Sequence, residues 1–111
     1  MTNTKTRLVQ IHKRIERIKV ELAAIGEMRP GTLTRQYKDR KSKSGAYYQL
    51  SYTHQMKSRT EYVARESLPD VRRQIGNYKR FKALTRQWVD LSIEQGRLKA
   101  QLARERSSMI G

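Results

Sequence analysis

The run Leu8-Val-Gln-Ile11-His-Lys-Arg-Ile15-Glu-Arg-Ile18-Lys-Val-Glu-Leu22-Ala-Ala-Ile25 decides the architecture. Its seam positions, Leu8, Ile11, Ile15, Ile18, Leu22 and Ile25, recur at steps of 3, 4, 3, 4 and 3. That is the a/d stripe of a helix that needs a partner helix. Thr2, Asn3 or Thr4 can cap its start, and Gly26, Pro30 and Gly31 stop it. The spacing predicts a helix over residues 4–28.

The partner stands at the other end of the chain. Ser67-Leu-Pro-Asp70 has the form of a capping box with Pro in the first turn. Apolar residues follow at Val71, Ile75, Tyr78, Phe81, Leu84, Trp88, Leu91, Leu98 and Leu102, and Gln95 fills the missing seam position. A long helix is predicted over residues 67–108. The two seams match in length, so the simplest packing is an antiparallel coiled coil with Leu8 near Leu102 and Ile25 near Leu84. The alternative is that one or both seams face a larger protein or another copy of the chain.

The middle of the chain is not helical in pattern. Residues 29–45 read as a basic loop punctuated by Pro, Gly and Ser; five of the nine residues from Arg35 to Lys43 are Lys or Arg. Residues 46–64 read as a β-hairpin, with strands over 46–53 and 58–64 and His54 to Lys57 as the turn. A lone hairpin is unstable in water. It must pack on the long helix, on a third strand near Leu33–Tyr37, or on a partner. The predicted fold is therefore mainly α with a small β-hairpin, in one domain over residues 1–111.

Composition narrows the function. The chain of 111 residues carries 25 Lys and Arg against 10 Asp and Glu, a net charge of +15. Hydrophobic residues make up 36%, below the ~45–50% of ordinary globular domains. A large core with a deep apolar pocket is excluded. With no Cys there is no disulfide framework and no thiolate metal site. No apolar run approaches the ~20 residues of a membrane helix, and the basic helices lack an aromatic face for a membrane surface. The expected compartment is the cytoplasm.

Charge of this density calls for a polyanion, and nucleic acid is the usual one. Residues 29–65 hold nine basic side chains against two acids, the largest excess along the chain. Five of the six tyrosines fall between Tyr37 and Tyr62, among those cations. Basic groups hold phosphates while aromatic faces stack on unpaired bases. Arg35, Lys38, Arg40, Lys41 and Lys43 are the expected phosphate ligands, and Tyr37 and Tyr47 the expected stacking or wedging residues. Lys57, Arg59, Arg72, Arg73, Lys79 and Arg80 extend the track. The competing reading places Tyr48, Tyr52 and Tyr62 in the hairpin's own core, which is expected of about half of them.

Enzyme signatures are missing. His12 and His54 have no neighbouring metal-ligand residues at ligand spacing, the acids are scattered, and there is no Gly-rich phosphate loop. No cofactor, metal or small-molecule substrate is expected. The predicted activity is that of a non-catalytic accessory protein binding DNA or RNA, DNA being the first choice. The alternative is a coiled-coil adaptor, or a subunit of a larger protein or ribonucleoprotein assembly.

Several strings occur in a specific order: Met28-Arg-Pro-Gly-Thr-Leu-Thr-Arg-Gln-Tyr37, Gly45-Ala-Tyr-Tyr-Gln-Leu-Ser-Tyr52, Ser58-Arg-Thr-Glu-Tyr-Val63, and Leu68-Pro-Asp-Val-Arg-Arg-Gln-Ile75 running into Asn77-Tyr-Lys-Arg-Phe81. Over about residues 22–100 this order resembles a small prokaryotic family catalogued as a domain of unknown function, often encoded in mobile-element or transposase-like settings. The resemblance implies a link to mobile DNA and assigns no activity. It also implies a Cys cluster before the Tyr-Tyr strand, forming a zinc knuckle. This chain has Lys38-Asp-Arg-Lys-Ser-Lys-Ser44 there, so a basic loop replaces any metal site. The family's Gly-Lys hairpin turn is replaced by Gln55-Met56-Lys57.

Overall fold

The computed structural model describes residues 3–110. The element order is α1 (Thr4–Ala23), β1 (Thr32–Asp39), β2 (Ser44–His54), β3 (Lys57–Val63), a 3₁₀ turn (Arg65–Ser67) and α2 (Leu68–Ile110). The expected succession of helix, β structure and long helix is present. The described residues fall into two compact units, one of α1 with the chain from Phe81 onward, the other spanning Gly26–Arg80.

The first unit is a pair of helices. The Asn3 side chain caps α1 by accepting from the Thr6 amide at 2.8 Å; Thr2 lies outside the described residues. Ile11, Ile15 and Ile18 of α1 and Leu84 of α2 are buried, as the seam spacing predicts. Leu8 and Leu22 are half-buried, as are Trp88, Leu91, Gln95, Leu98 and Leu102. Polar contacts flank this seam. Arg7 donates through Nε and Nη2 to the Glu94 carboxylate at 2.6 and 2.8 Å. Arg14 Nη2 donates to Gln87 Oε1 at 2.7 Å, and Lys19 Nζ sits 5.6 Å from the Trp88 ring centroid. Seven residues forward on α1 correspond to seven residues back on α2, so the two helices run antiparallel. The register differs from the expected one. Arg7 meets Glu94 rather than the neighbourhood of Leu102, a shift of about two turns. Matching the seams end to end ignores the charged and polar partners beside them.

Helix α1 is shorter than predicted, ending at Ala23 rather than residue 28. The following backbone is used differently. Asn77 Nδ2 donates to the Glu27 carbonyl at 2.8 Å, and the Arg29 amide donates to the Gln74 carbonyl at 3.1 Å. Both bonds pin the segment after α1 onto the start of α2.

The second unit is a three-stranded antiparallel sheet, in the order β1-β2-β3, packed on the first turns of α2. The segment 29–45 is therefore not a loop. It contains β1, which pairs with β2 through Leu33↔Leu50, Arg35↔Tyr48 and Tyr37↔Ala46. The sheet is stable where a hairpin alone would not be, because a third strand and a helix both cover it. Strand alternation sends Leu33, Tyr48, Leu50, Tyr52 and Val63 to the helix side. Leu50, Val63, Leu68, Val71 and Ile75 form the buried core, with Leu33, Tyr48 and Tyr52 packed against it. On α2 these are positions i, i+3 and i+7, one helical face. Of the three tyrosines considered for the core, Tyr48 and Tyr52 join it and Tyr62 does not. Its neighbour Val63 points inward, so Tyr62 points outward and is 72% exposed.

The capping box at Ser67 does not form. Ser67 closes the 3₁₀ turn, its amide bonding to the Ala64 carbonyl at 2.9 Å, and Asp70 takes Arg73 at 2.9 Å. Pro69 sits in the first turn of α2, where a missing N–H costs nothing.

Two local conformations stand out. Gly31 adopts φ 128°, and a Cβ there would lie 2.7 Å from the Ser51 carbonyl oxygen and 2.9 Å from Leu50 Cδ1. The hairpin turn between β2 and β3 is two residues long, closed by the pair His54↔Lys57. Gln55 and Met56 both have positive φ, 52° and 64°, the signature of a type I′ turn normally filled by Asn-Gly. Left-handed conformations cost most residues roughly 1–2 kcal/mol.

Replacing the turn as Gln55→Asn with Met56→Gly is expected to stabilise the protein by about 1–2 kcal/mol. Gly31→Ala is expected to destabilise it by at least about 2 kcal/mol, through both strain and overlap. Urea unfolding followed by circular dichroism reads both.

Candidate nucleic-acid interface

The basic residues expected to form one track are distributed by the sheet over distinct places. Arg35 lies on the helix side of β1, with its guanidinium carbon 5.3 Å from the Tyr37 ring centroid, a cation–π contact. Arg72 and Lys79, seven residues apart on α2, lie on the same helical face. Together Arg35, Tyr48, Arg72, Ile75, Gly76 and Lys79 line a cleft of about 440 Å³ along β1. An added Cβ at Gly76 would meet nothing within 4 Å, so the cleft floor is open there. Among the described residues, no ion pair engages Arg35, Arg72 or Lys79. The cleft therefore holds three uncompensated cations.

Arg40, Lys41 and Lys43 lie in the turn joining β1 to β2. Asp39 Oδ1 accepts from the Lys41 amide at 3.0 Å and the Ser42 amide at 3.4 Å, which folds the turn. Bonds from Ser42 and then from the Lys41 amide hold the Asp39 carboxyl below its usual range. Lys57 and Arg59 sit at the opposite end of the sheet, beside the β2–β3 turn. They are not brought to the Arg40–Lys43 turn. Arg73 is engaged by Asp70, and Arg80 is exposed on α2 outside the cleft.

The other face of the sheet carries no helix-side residue. Thr32, Thr34, Gln36 and Lys38 come from β1, Tyr47, Gln49, Ser51 and Thr53 from β2, and Ser58, Thr60 and Tyr62 from β3. Among these described residues, Lys38 is the one charged side chain. Tyr47 lies on this face as a candidate contact residue, whereas Tyr37 belongs to the helix side. Both line, with Lys38 and Tyr62, a hollow of about 700 Å³ at the Arg40–Lys43 end of the sheet.

One cluster lies outside the expected track. Arg29 Nη2 donates to Glu61 Oε2, and the Tyr52 hydroxyl donates to Glu61 Oε1 at 2.9 Å. Glu61 is one of two acids in the most basic stretch of the chain, and here it is spent on structure. The Arg29 bond, then the Tyr52 bond, holds its carboxyl below the ordinary glutamate value. The bond to Glu61 also pushes the Tyr52 phenol up. The sequence signal for Glu61 is its alternation with Val63 along β3, which turns both inward.

A family model matches the same part of the chain. Residues 8–73 match DUF6788, a domain of unknown function. The chain belongs to this family. No curated protein and no solved structure matches it. The matched residues include α1 from Leu8 onward, the whole sheet and the start of α2, hence Arg35, Arg72 and the Arg29–Glu61 pair. Lys79 lies beyond the match.

Glu61 predicts a pH dependence. A carboxyl depressed on folding adds stability that is complete above its unfolded value, ~4.3, and is lost as pH falls through the lower folded value. Wild-type melting temperature is expected to fall on acidification from about pH 5 to about pH 2.5. Glu61→Gln is expected to flatten part of that fall; an unchanged profile would show that the pair carries no linkage. Glu16, Asp39 and Glu94, also depressed, contribute to the remainder.

Proposed function

We propose that the protein is a non-catalytic nucleic-acid-binding accessory protein that works beside mobile-element machinery. The observation that carries this reading is the convergence of Arg35, Arg72 and Lys79 on one cleft, with no carboxylate among the described residues paired to them. Three cations held together without counter-charge favour a ligand with repeated negative groups, and a phosphate backbone releases counterions as each is neutralised. The Arg40–Lys43 turn adds a second basic element within the same unit. The mobile-element setting rests on the motif order of the chain.

A second reading concerns the helical unit. In that reading the seam residues form an antiparallel coiled coil and the unit acts as an adaptor. Its support is an outward apolar strip on α2, where Trp88, Val89 and Ile93 line one groove with Thr85 and Ser92, and Lys82 and Arg86 line the next. Basic flanks beside an apolar strip suit an amphipathic helix with acidic margins; a second copy of so basic a chain does not.

Salt titration of duplex DNA binding tests the first reading. Alanine at Arg35, Arg72 and Lys79 together is expected to weaken binding. It is also expected to flatten the log–log salt slope by up to about 2.7, at roughly 0.9 for each phosphate left unneutralised. An unchanged slope in a folded triple variant would remove the cleft from the interface. Val89→Asp with Ile93→Asp leaves this slope intact and abolishes any protein partner of α2.

A further inference from the structure

The open face of the sheet has a composition that the cleft does not explain. We infer that it is a stacking platform for single-stranded RNA, with Tyr47 and Tyr62 each taking one unpaired base. This rests on the nucleic-acid reading above and names the class of strand.

Four observations carry it. First, Tyr62 is 72% exposed on a folded strand, where hydrophobic packing gives no reason for an aromatic ring. Second, Tyr47 and Tyr62 line one hollow of about 700 Å³ together with Lys38, and with Tyr37, Gly45 and Ala46 where it reaches the end of the sheet. Tyr62 lies opposite Gln49 and Tyr47 lies two residues before Gln49, so the rings are diagonal neighbours, roughly 7–8 Å apart at the backbone. Third, each ring has a glutamine beside it on the next strand, Gln36 opposite Tyr47 and Gln49 opposite Tyr62. Among the described residues neither glutamine amide makes a hydrogen bond. Each can both donate and accept, as recognition of a 2′-hydroxyl or a base edge requires. Fourth, the charge is complementary. The face has no acid among the described residues, Lys38 stands on it, and Arg40, Lys41 and Lys43 stand in the turn at its end.

Duplex DNA does not fit this face, because paired bases expose no ring to stack on. A flat sheet bearing aromatic rings suits unpaired bases splayed from an extended backbone. Lys38 and the turn would hold phosphates, while the two rings would hold bases with little regard to sequence. The glutamines would favour ribose over deoxyribose.

Fluorescence anisotropy with three labelled probes of about 12 nucleotides or base pairs, within the span of such sites, tests this: an oligouridylate, the matching oligodeoxyuridylate, and a duplex DNA. The expected result is tighter binding of the uridylate than of the deoxyuridylate. Tyr47→Ala and Tyr62→Ala are each expected to weaken uridylate binding by about five- to a hundredfold, the range of one missing stack. Tyr47→Phe and Tyr62→Phe keep the ring and are expected to retain affinity. Duplex binding by all four variants is expected to stay at the wild-type level. Both tyrosines lie off the core face, and circular dichroism confirms folding of each variant. Unchanged uridylate binding by the folded alanine variants overturns the platform and leaves the nucleic-acid reading standing. Deoxyuridylate binding as tight as uridylate overturns the assignment to RNA. Failure of the wild-type protein to bind any of the three probes overturns the nucleic-acid reading itself, and the platform with it.

Discussion

Five buried side chains hold the sheet to α2, and the close approach at Gly31 lets them meet. Leu50 is fully buried at the centre of that contact. Gly31 passes directly over it, with no room for a Cβ against the Ser51 carbonyl. A core this small tolerates little slack, since each buried aliphatic side chain contributes only about 1.5–3 kcal/mol. The polar ties around it therefore matter: Asn77 to the Glu27 carbonyl, the Arg29 amide to the Gln74 carbonyl, and the Arg29 side chain to Glu61. These bonds fasten Glu27 and Arg29 to α2 and β3 inside the Gly26–Arg80 unit, beside the buried core.

The sheet sorts the charge of the middle segment. Along the chain, Arg35, Lys38, Arg40, Lys41 and Lys43 look like one cluster. In space, alternation sends Arg35 to the helix side and Lys38 to the open side, and the turn carries the remaining three. A single polyanion-binding loop becomes a cationic cleft, a basic turn and a polar face of low charge with aromatic rings. These differ in what they can recognise. The cleft gathers three cations beside Tyr48, whereas the open face holds Tyr47 and Tyr62 with Lys38 as its charged side chain.

Much of this is legible in the sequence, and the failures have physical causes. The α1 seam is readable because Ile11, Ile15 and Ile18 repeat with a helical period and nothing else competes for them. Strand β1 is only half legible: a third strand near Leu33–Tyr37 is one of the covers the hairpin calls for, but Thr32–Asp39 has only Leu33 and Tyr37 as apolar residues, between a Pro-Gly start and a Ser-rich end. Its extended form comes from pairing with β2 across the turn of residues 40–43 rather than from its own residue pattern. The two-residue turn is hidden because Gln55 and Met56 carry none of the usual left-handed preference. Tyr62 goes to the wrong face when tyrosine content is weighed before alternation; Val63 inward already requires Tyr62 outward. The helix register goes wrong when seam length is matched without the polar partners of Arg7 and Arg14.

The edges of the sheet carry one more consequence. Among the described residues, strands β1 and β3 are both unpaired on their outer sides, and an unpaired edge invites another sheet to continue it. Here the two edges bear Arg35 and Lys38 on one side and Lys57 and Arg59 on the other. Two such edges repel each other before their backbones can bond. The lysines and arginines that obscure the strands in the sequence thus also protect the folded chain against growing into a fibre.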